Sequence, residues 1–199
     1  MYKLDTFKTI AKTATGAISE QRSKFIAYAS PVATPEEAKV YVEAYRKQYY
    51  DARHVCWAYM LGCERNEFRV NDDGEPSSTA GKPILGVILS HELTNILIVV
   101  VRYFGGIKLG TSGLIAAYRA AAIAAINNAE IIEKTLEETL SIAFDYAVLN
   151  KIMRIVKEEN LPITSRCIDT RCSLTLSVRK HDAEKLKTAL MGIETLQLL

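Results

Sequence analysis

The segment Asn95–Phe104 constrains the fold more than any other part of the sequence. Its centre, from Ile96 to Val101, is apolar at every position, and Arg102 follows it. A strand that is apolar on both faces is typical of the middle of a sheet that is covered on both sides. The run is far shorter than the roughly 20 apolar residues that span a bilayer, so it predicts a buried strand.

A glycine-rich loop follows this strand and leads into a helix predicted from about Ser112 to Asn128. Glycines let the backbone approach a ligand, and a helix N-terminus presents unpaired N–H groups and the positive end of the helix dipole. An apolar strand rarely carries an unpaired buried charge, so the arginine at its end favours a binding role. The alternative is that the glycines only form a tight turn and allow close packing. The predicted anion-binding residues are Arg102, Gly105, Gly106, Lys108 and Gly110.

The first half of the chain otherwise alternates short strands and helices. A hairpin is predicted at Thr13–Glu20 and Lys24–Ser30, and a helix begins after Thr34, whose side chain can cap it. His54–Leu61 alternates between two faces, as a strand does. In the later alanine-rich helix, the residues expected to lie close to a sheet are Ala116, Ala120 and Ala124.

A second candidate site is the polar segment from Asp72 to Pro83. Three hydroxyl groups before the predicted helix at about Ala80 to His91 can orient an anion or cap the helix, and a lysine can assist them. The carboxylates of the segment can instead hold a divalent cation, although the spacing of an EF-hand is absent. A solvated acidic turn with a helix cap is the third interpretation. The candidate anion ligands of the segment are Ser77, Ser78, Thr79 and Lys82.

His54 is the remaining candidate, as part of a nucleic-acid or anion site. It shares a strand face with Cys56, but residues at i and i+2 point the same way and rarely touch, so a nucleophilic Cys–His pair is disfavoured. A satisfied, partly buried histidine is the simpler interpretation. The four cysteines include no Cys-x-x-Cys pair and the three histidines are scattered, so neither a metal nor a cofactor is expected.

From about residue 135 the pattern of the chain changes. The predicted order of elements is strand, helix, strand, strand, helix, strand, which is the ferredoxin-like pattern. The strands lack the exposed aromatic pair with which such sheets bind RNA. The sequence therefore predicts an α+β protein with two domains, residues 1–130 and 135–199. The predicted elements of the second domain are Leu136–Phe144, Tyr146–Glu159, Leu161–Ile168, Arg171–Val178, Asp182–Met191 and Glu194–Leu199.

The last hairpin permits a sharp prediction about two cysteines. If Asp169 and Thr170 form a two-residue turn, Cys167 faces Cys172 across the strands. Alternation places Cys172 on the core side. We therefore expect two adjacent, buried and unbridged thiols without a catalytic role.

Composition excludes several classes of protein. Hydrophobic residues make up 49% and charged residues 24%, the balance of a soluble globular protein. The net charge of +2 is too small for a protein that grips nucleic acid over a wide surface, so any RNA contact is expected to be a local patch. The N-terminus lacks the basic and then apolar layout of a signal peptide, which predicts a cytoplasmic protein without membrane contact.

Four of these segments together resemble the signature of the YigZ/Impact family, and the resemblance covers most of residues 15–130. The two blocks that begin at Gly81 and at Val99 form the family signature, and together they are highly specific. The matching motifs are His54-x-Cys56-x-Ala58-Tyr59, Asp72-Asp73-Gly74-Glu75-Pro76-Ser77, Gly81-x-x-Ile84-Leu85 and Val99-Val100-x-Arg102-Tyr103-Phe104-Gly105-Gly106-x-x-Leu109-Gly110.

The resemblance implies an N-terminal domain of the left-handed βαβ type, similar to ribosomal proteins and to domain four of elongation factor G. It implies a C-terminal domain similar to domain five of that factor. Eukaryotic members of the family restrain a starvation-activated initiation-factor kinase through a ribosome-associated partner. Two functions stay open for this chain. One is a non-enzymatic regulator that binds RNA, the ribosome or a translation factor, and the other is an enzyme acting on a small phosphorylated or nucleotide substrate in the same cleft.

Overall fold

The computed structural model describes residues 5–199, which divide into two compact units. The first unit comprises residues 7–134, and the second comprises residues 135–199 together with Asp5 and Thr6. Within the described residues, no helix has the length and apolar character needed to cross a membrane.

A five-stranded antiparallel sheet with helices on both faces forms the first unit. Its strand order is β2-β3-β6-β4-β5, while β1 pairs with β7 in a separate two-stranded sheet. The strands are β1 (Thr6–Ile10), β2 (Ala14–Glu20), β3 (Ser23–Pro31), β4 (His54–Leu61), β5 (Glu67–Asn71), β6 (Ile96–Tyr103) and β7 (Ile131–Thr135), and the helices are α1 (Pro35–Gln48), α2 (Gly81–Ser90) and α3 (Gly110–Asn127).

Strand β6 lies at the centre of this sheet, and the prediction of a strand buried on both faces is confirmed. Ile96, Ile98 and Val100 face the core beneath α2 and α3. The alternate residues Leu97, Val99 and Val101 belong to the core beneath α1. Because side chains alternate along a strand, Arg102 continues the row that faces α2 and α3.

The predicted hairpin and helix cap are also confirmed. Gln21 and Arg22 connect β2 to β3 with φ angles of 44° and 67°, the left-handed conformation that a tight two-residue hairpin turn uses. Thr34 caps α1, since its hydroxyl accepts the N–H of Glu37 at 3.2 Å. The Glu37 carboxylate in turn accepts the N–H of Ala33 at 2.7 Å, which closes a reciprocal cap.

Helix α3 packs closely against the sheet, and one of the three alanines predicted to lie close to it does so. Ala124 lies against β2, since a Cβ atom added to Gly16 would be 2.8 Å from its Cβ atom. Ala116 and Ala120 are exposed, and the buried face contains Leu114 and Tyr118. These two large apolar residues orient the helix, because burying them stabilises the fold more than burying alanine does. The small residues that share their face are Ala117, Ala121, Ala122 and Ala125.

The second unit has the ferredoxin-like arrangement that its sequence pattern predicts. The strand order is β11-β8-β10-β9, and neighbouring strands are antiparallel. A 3-10 turn at Tyr146–Val148 precedes α4. Leu174, Leu176 and Val178 alternate into the core, as predicted. The elements are β8 (Glu137–Asp145), α4 (Leu149–Glu158), β9 (Ile163–Cys167), β10 (Arg171–Arg179), α5 (Lys180–Met191) and β11 (Gln197–Leu198).

The predicted pairing of Cys167 with Cys172 is wrong. The strand register places Cys167 opposite Ser173, because the connection between β9 and β10 is longer than a two-residue turn. Cys172 is buried as expected, whereas Cys167 is exposed. Neither residue forms a disulfide.

Candidate functional site

Three neighbouring strands bring one residue each to the edge of the core beneath α2 and α3. Arg102 on β6 is paired with Phe25 on β3 and with His54 on β4. Directly paired residues of antiparallel strands project from the same face of the sheet. The three side chains therefore form a row across the sheet at the end of β6.

The charge of Arg102 is paired with a carboxylate. The sequence argument that an unpaired buried arginine indicates a binding role therefore does not apply. Its side chain is only 6% exposed, and Nη1 donates a hydrogen bond to Glu75 Oε1 at 2.5 Å. The guanidinium group also lies 5.4 Å from the ring centroid of Phe25 and 5.5 Å from that of Phe104. Nε is buried and has no hydrogen-bond partner among the described residues. This N–H is thus a buried donor whose hydrogen bond is not satisfied by the described residues.

Glu75 is the centre of a buried polar network. Besides Arg102, its Oε1 atom accepts a hydrogen bond from the Tyr118 hydroxyl at 2.9 Å. The thiol of Cys56 lies 3.3 Å from the same hydroxyl and 3.0 Å from the carbonyl oxygen of Asp72. Burial raises the pKa of both the Cys56 thiol and the Tyr118 hydroxyl. Cys56 therefore stays a thiol at neutral pH, which argues further against a nucleophilic Cys–His pair.

The ring of His54 is held so that one nitrogen remains available. Nδ1 lies 2.7 Å from the carbonyl oxygen of Asp73, which can only accept a hydrogen bond, so Nδ1 carries the proton. In the neutral ring Nε2 is then an unprotonated acceptor, 3.9 Å from Glu75 Oε1. The Asp73 carboxylate is itself fixed by Arg46 at 2.6 Å and by the N–H of Val55 at 2.7 Å.

The loop before α2 is organised by Asp72 and not by its hydroxyl groups. Asp72 accepts the backbone N–H groups of Ser78, Ala80 and Gly81 at 2.8, 3.0 and 2.8 Å, and so it caps the helix. The Thr79 hydroxyl donates to the carbonyl oxygen of Pro76 within the loop. With Asp72 bound to backbone and Asp73 to backbone and Arg46, the divalent-cation alternative has little support.

A cleft of about 460 Å³ opens above this network. Four of the predicted site residues line it, namely His54, Arg102, Lys108 and Gly110. The other predicted residues, namely Ser77, Ser78, Thr79, Lys82, Gly105 and Gly106, are not part of its wall. The remaining lining residues are Arg53, Glu75, Pro76, Phe104, Leu109, Thr111 and Leu114.

The glycine-rich loop combines a packing role with an open helix start. A Cβ atom on Gly105 would lie 2.1 Å from the backbone of Arg22, so this glycine permits close packing. Gly110, with a φ angle of 70°, has no such neighbour among the described residues and begins α3 at the cleft. Within the same part of the chain no side chain caps this helix, so its first N–H groups are available to an anion.

Four important residues of the site were not singled out from the sequence. Glu75 stands in a family motif and among the carboxylates that can hold a cation, and Tyr118 lies in the predicted alanine-rich helix without an assigned role. The acidic residue within a glycine- and proline-rich loop was the one signal that could have suggested a partner for the arginine. Phe104 belongs to a quoted family motif but has no predicted role there, and Arg53 carries no local signal, because its position at the cleft depends on the pairing of β4 with β6.

Comparison with known proteins places the chain in a family. The profile of the Impact N-terminal domain matches residues 21–126, which include every residue lining the cleft. IMPACT family member YvyE of Bacillus subtilis is 37% identical over 155 residues, which cover 78% of this chain and 71% of the relative. The chain belongs to the IMPACT family.

Two further matches extend beyond the N-terminal domain. An IMPACT family member of Haemophilus influenzae is 31% identical over 172 residues, covering 85% of this chain and 84% of the relative. A crystal structure described as a hypothetical protein superposes with a TM-score of 0.74 at 29% identity, covering 99% of this chain and 98% of that one. The resemblance to the YigZ/Impact signature is thus confirmed.

Proposed function

We propose that this IMPACT-family chain is a translation-linked regulator that binds RNA through the cleft of the first unit. The observation that carries the proposal is the concentration of positive groups at the open start of α3. Arg53 and Lys108 are exposed at the cleft, and Gly110 and Thr111, the first residues of α3, line the same cleft. Such a combination binds phosphate groups.

The modest net charge of the chain is consistent with an RNA contact that is confined to the cleft, and not with one that extends over a wide surface. The whole chain carries only +2, whereas the cleft gathers Arg53, Arg102 and Lys108 around one carboxylate, Glu75. Glu75 is already paired with Arg102, which leaves two exposed cations for a phosphate. We therefore expect the affinity for RNA to depend on two or three phosphate contacts.

The link to translation is supported by family membership. The family includes eukaryotic members that restrain an initiation-factor kinase, as the sequence resemblance implies. Binding of RNA, of the ribosome or of a translation factor would each serve such a role. We favour RNA, because the cleft offers exposed cations and a helix start that match phosphate.

Substitution of the exposed cations tests the proposal. Lys108→Ala and Arg53→Ala should each weaken the binding of a fluorescein-labelled single-stranded RNA, measured by anisotropy, by about five- to tenfold, because each removes a charge that faces phosphate. Lys39→Ala is the matched control, since Lys39 is exposed on α1 at the opposite face of the sheet. Equal affinities for the parent protein and all three variants would contradict the proposal.

A second candidate function is favoured by His54. In the neutral ring its Nε2 atom is an acceptor, and His54 lines a cleft that is large enough for a small substrate. In the hydrolysis of a phosphate ester, Nε2 would take a proton from water as the water oxygen bonds to phosphorus and the P–O ester bond breaks, and it would then give that proton to the departing ester oxygen. Release of inorganic phosphate from nucleoside monophosphates, lost in His54→Gln, would establish this function.

A further inference from the structure

Phe104 is an aromatic ring at the cleft that the fold leaves half uncovered. Its relative exposure is 48%, and it follows directly after β6. The next residue, Gly105, is held against the backbone of Arg22, and its N–H lies 3.2 Å from the Ser23 hydroxyl. The ring is therefore presented from backbone that is anchored on both sides, so it loses little conformational freedom on binding.

Packing against Arg102 does not account for an aromatic residue at this exposed position. Its ring covers the guanidinium group of Arg102, but Phe25 already contacts the same group at 5.4 Å. Phe25 is fully buried, as a purely structural aromatic residue usually is. Half of Phe104 remains available to a ligand in the cleft.

The lining of the cleft combines two chemical kinds of group. The exposed cations Arg53 and Lys108 and the start of α3 suit a phosphate. The apolar lining residues would be left unused by a phosphate ion alone, and an apolar ligand would leave the cations unpaired. A nucleotide offers both a flat apolar ring system and a phosphate. The apolar lining residues are Pro76, Phe104, Leu109 and Leu114.

We infer that the cleft receives one unpaired nucleotide of a single-stranded RNA, with its base stacked on Phe104 and its phosphate at Lys108 and the start of α3. This inference rests on the proposed RNA binding and deepens it. The volume of about 460 Å³ suits one small ligand and not several. A base within a duplex is stacked on its neighbours and cannot reach the ring, so single strands bind more tightly than duplexes of the same sequence.

Phe104→Ala tests the stacking contact apart from the phosphate contact. We expect it to weaken single-stranded RNA binding by about 5- to 100-fold, the range of one lost base–aromatic contact, while the affinity for inorganic polyphosphate changes less than about twofold. Phe68→Ala is the matched control, because Phe68 is 57% exposed on β5 and lies outside the cleft wall. It should leave both affinities unchanged.

Phe104→Trp adds a direct readout, since a stacked base should quench the new indole while affinity is retained. If Lys108→Ala weakens RNA binding but Phe104→Ala does not, stacking is refuted and phosphate binding stands. If Phe104→Ala weakens RNA and polyphosphate equally, the ring has a structural role and the inference is refuted. If neither variant differs from the parent protein, both the inference and the proposed function fail.

Discussion

Arg102 and Glu75 show how a single buried ion pair supports the candidate site. Both side chains are almost completely buried, and Glu75 also accepts a hydrogen bond from Tyr118. Removing one partner of such a pair leaves the other charge without compensation in the interior. Arg102 therefore acts as a structural support as well as a wall of the cleft.

We expect Arg102→Ala to lower the free energy of unfolding by about 3–5 kcal/mol, because the Glu75 carboxylate would stay buried without its partner. The double variant Arg102→Met and Glu75→Gln should recover a large part of this loss. Lys39→Ala, which breaks only an exposed pair with Glu43, should change the free energy of unfolding by less than about 1 kcal/mol. Urea unfolding measures all three. A loss below about 1 kcal/mol for Arg102→Ala would show that the pair does not support the fold.

At the scale of elements, the close packing of α3 on β2 depends on a glycine. A Cβ atom added to Gly16 would lie 2.3 Å from the backbone nitrogen of Ala125, so the helix would have to move away from the strand. Gly86 on α2 is a contrasting case, because an added Cβ atom would meet no described atom within 4 Å apart from its chain neighbours and the adjacent backbone of its own helix, and the residue is exposed.

Gly16→Ala should therefore lower the free energy of unfolding by about 1–3 kcal/mol, as overpacking does. Gly86→Ala should raise it by about 0.5–1 kcal/mol, because alanine is the better helix residue. Thermal or urea unfolding of the two variants gives the comparison. A Gly16→Ala protein as stable as the parent would mean that α3 does not approach β2 this closely.

The sequence predicts the elements better than it predicts their contacts. Periodicity and capping residues are local, and they locate α1, β4 and β6 to within a few residues. Register depends on loop length, which periodicity does not encode, and the predicted pairing of Cys167 failed for that reason. The buried face of α3 is predicted only in part, with Ala124 correct and Ala116 and Ala120 exposed, because large residues orient a helix more strongly than small ones.

The candidate site was predicted only in part, again because it depends on long-range pairing. Arg102 and Lys108 stand out in the sequence as charges next to an apolar strand and a glycine loop. Glu75 lies 27 residues from its partner Arg102, and no local pattern connects the two. Lys82 shows the converse error, since it is close to the polar loop in sequence but is not part of the cleft wall.

At the scale of the whole molecule, the candidate functional residues lie in the unit that matches the Impact N-terminal domain. The buried apolar residues of the ferredoxin-like unit form one core. The strand positions facing away from it include Ser141 and Thr175, whose hydroxyls are within hydrogen-bond distance. Such a face lacks the aromatic side chains with which RNA-binding sheets stack bases. We therefore expect the RNA-binding site to lie within residues 7–134.

The salt dependence of RNA binding tests the central claim, a local phosphate contact at this cleft, most directly. With two or three phosphate contacts on a single strand, the logarithm of the binding constant should fall against the logarithm of salt concentration with a slope of about −1.5 to −2. Lys108→Ala should make that slope shallower by about 0.7–1, because one contact is lost. A slope steeper than about −4, or one that Lys108→Ala leaves unchanged, would contradict the account.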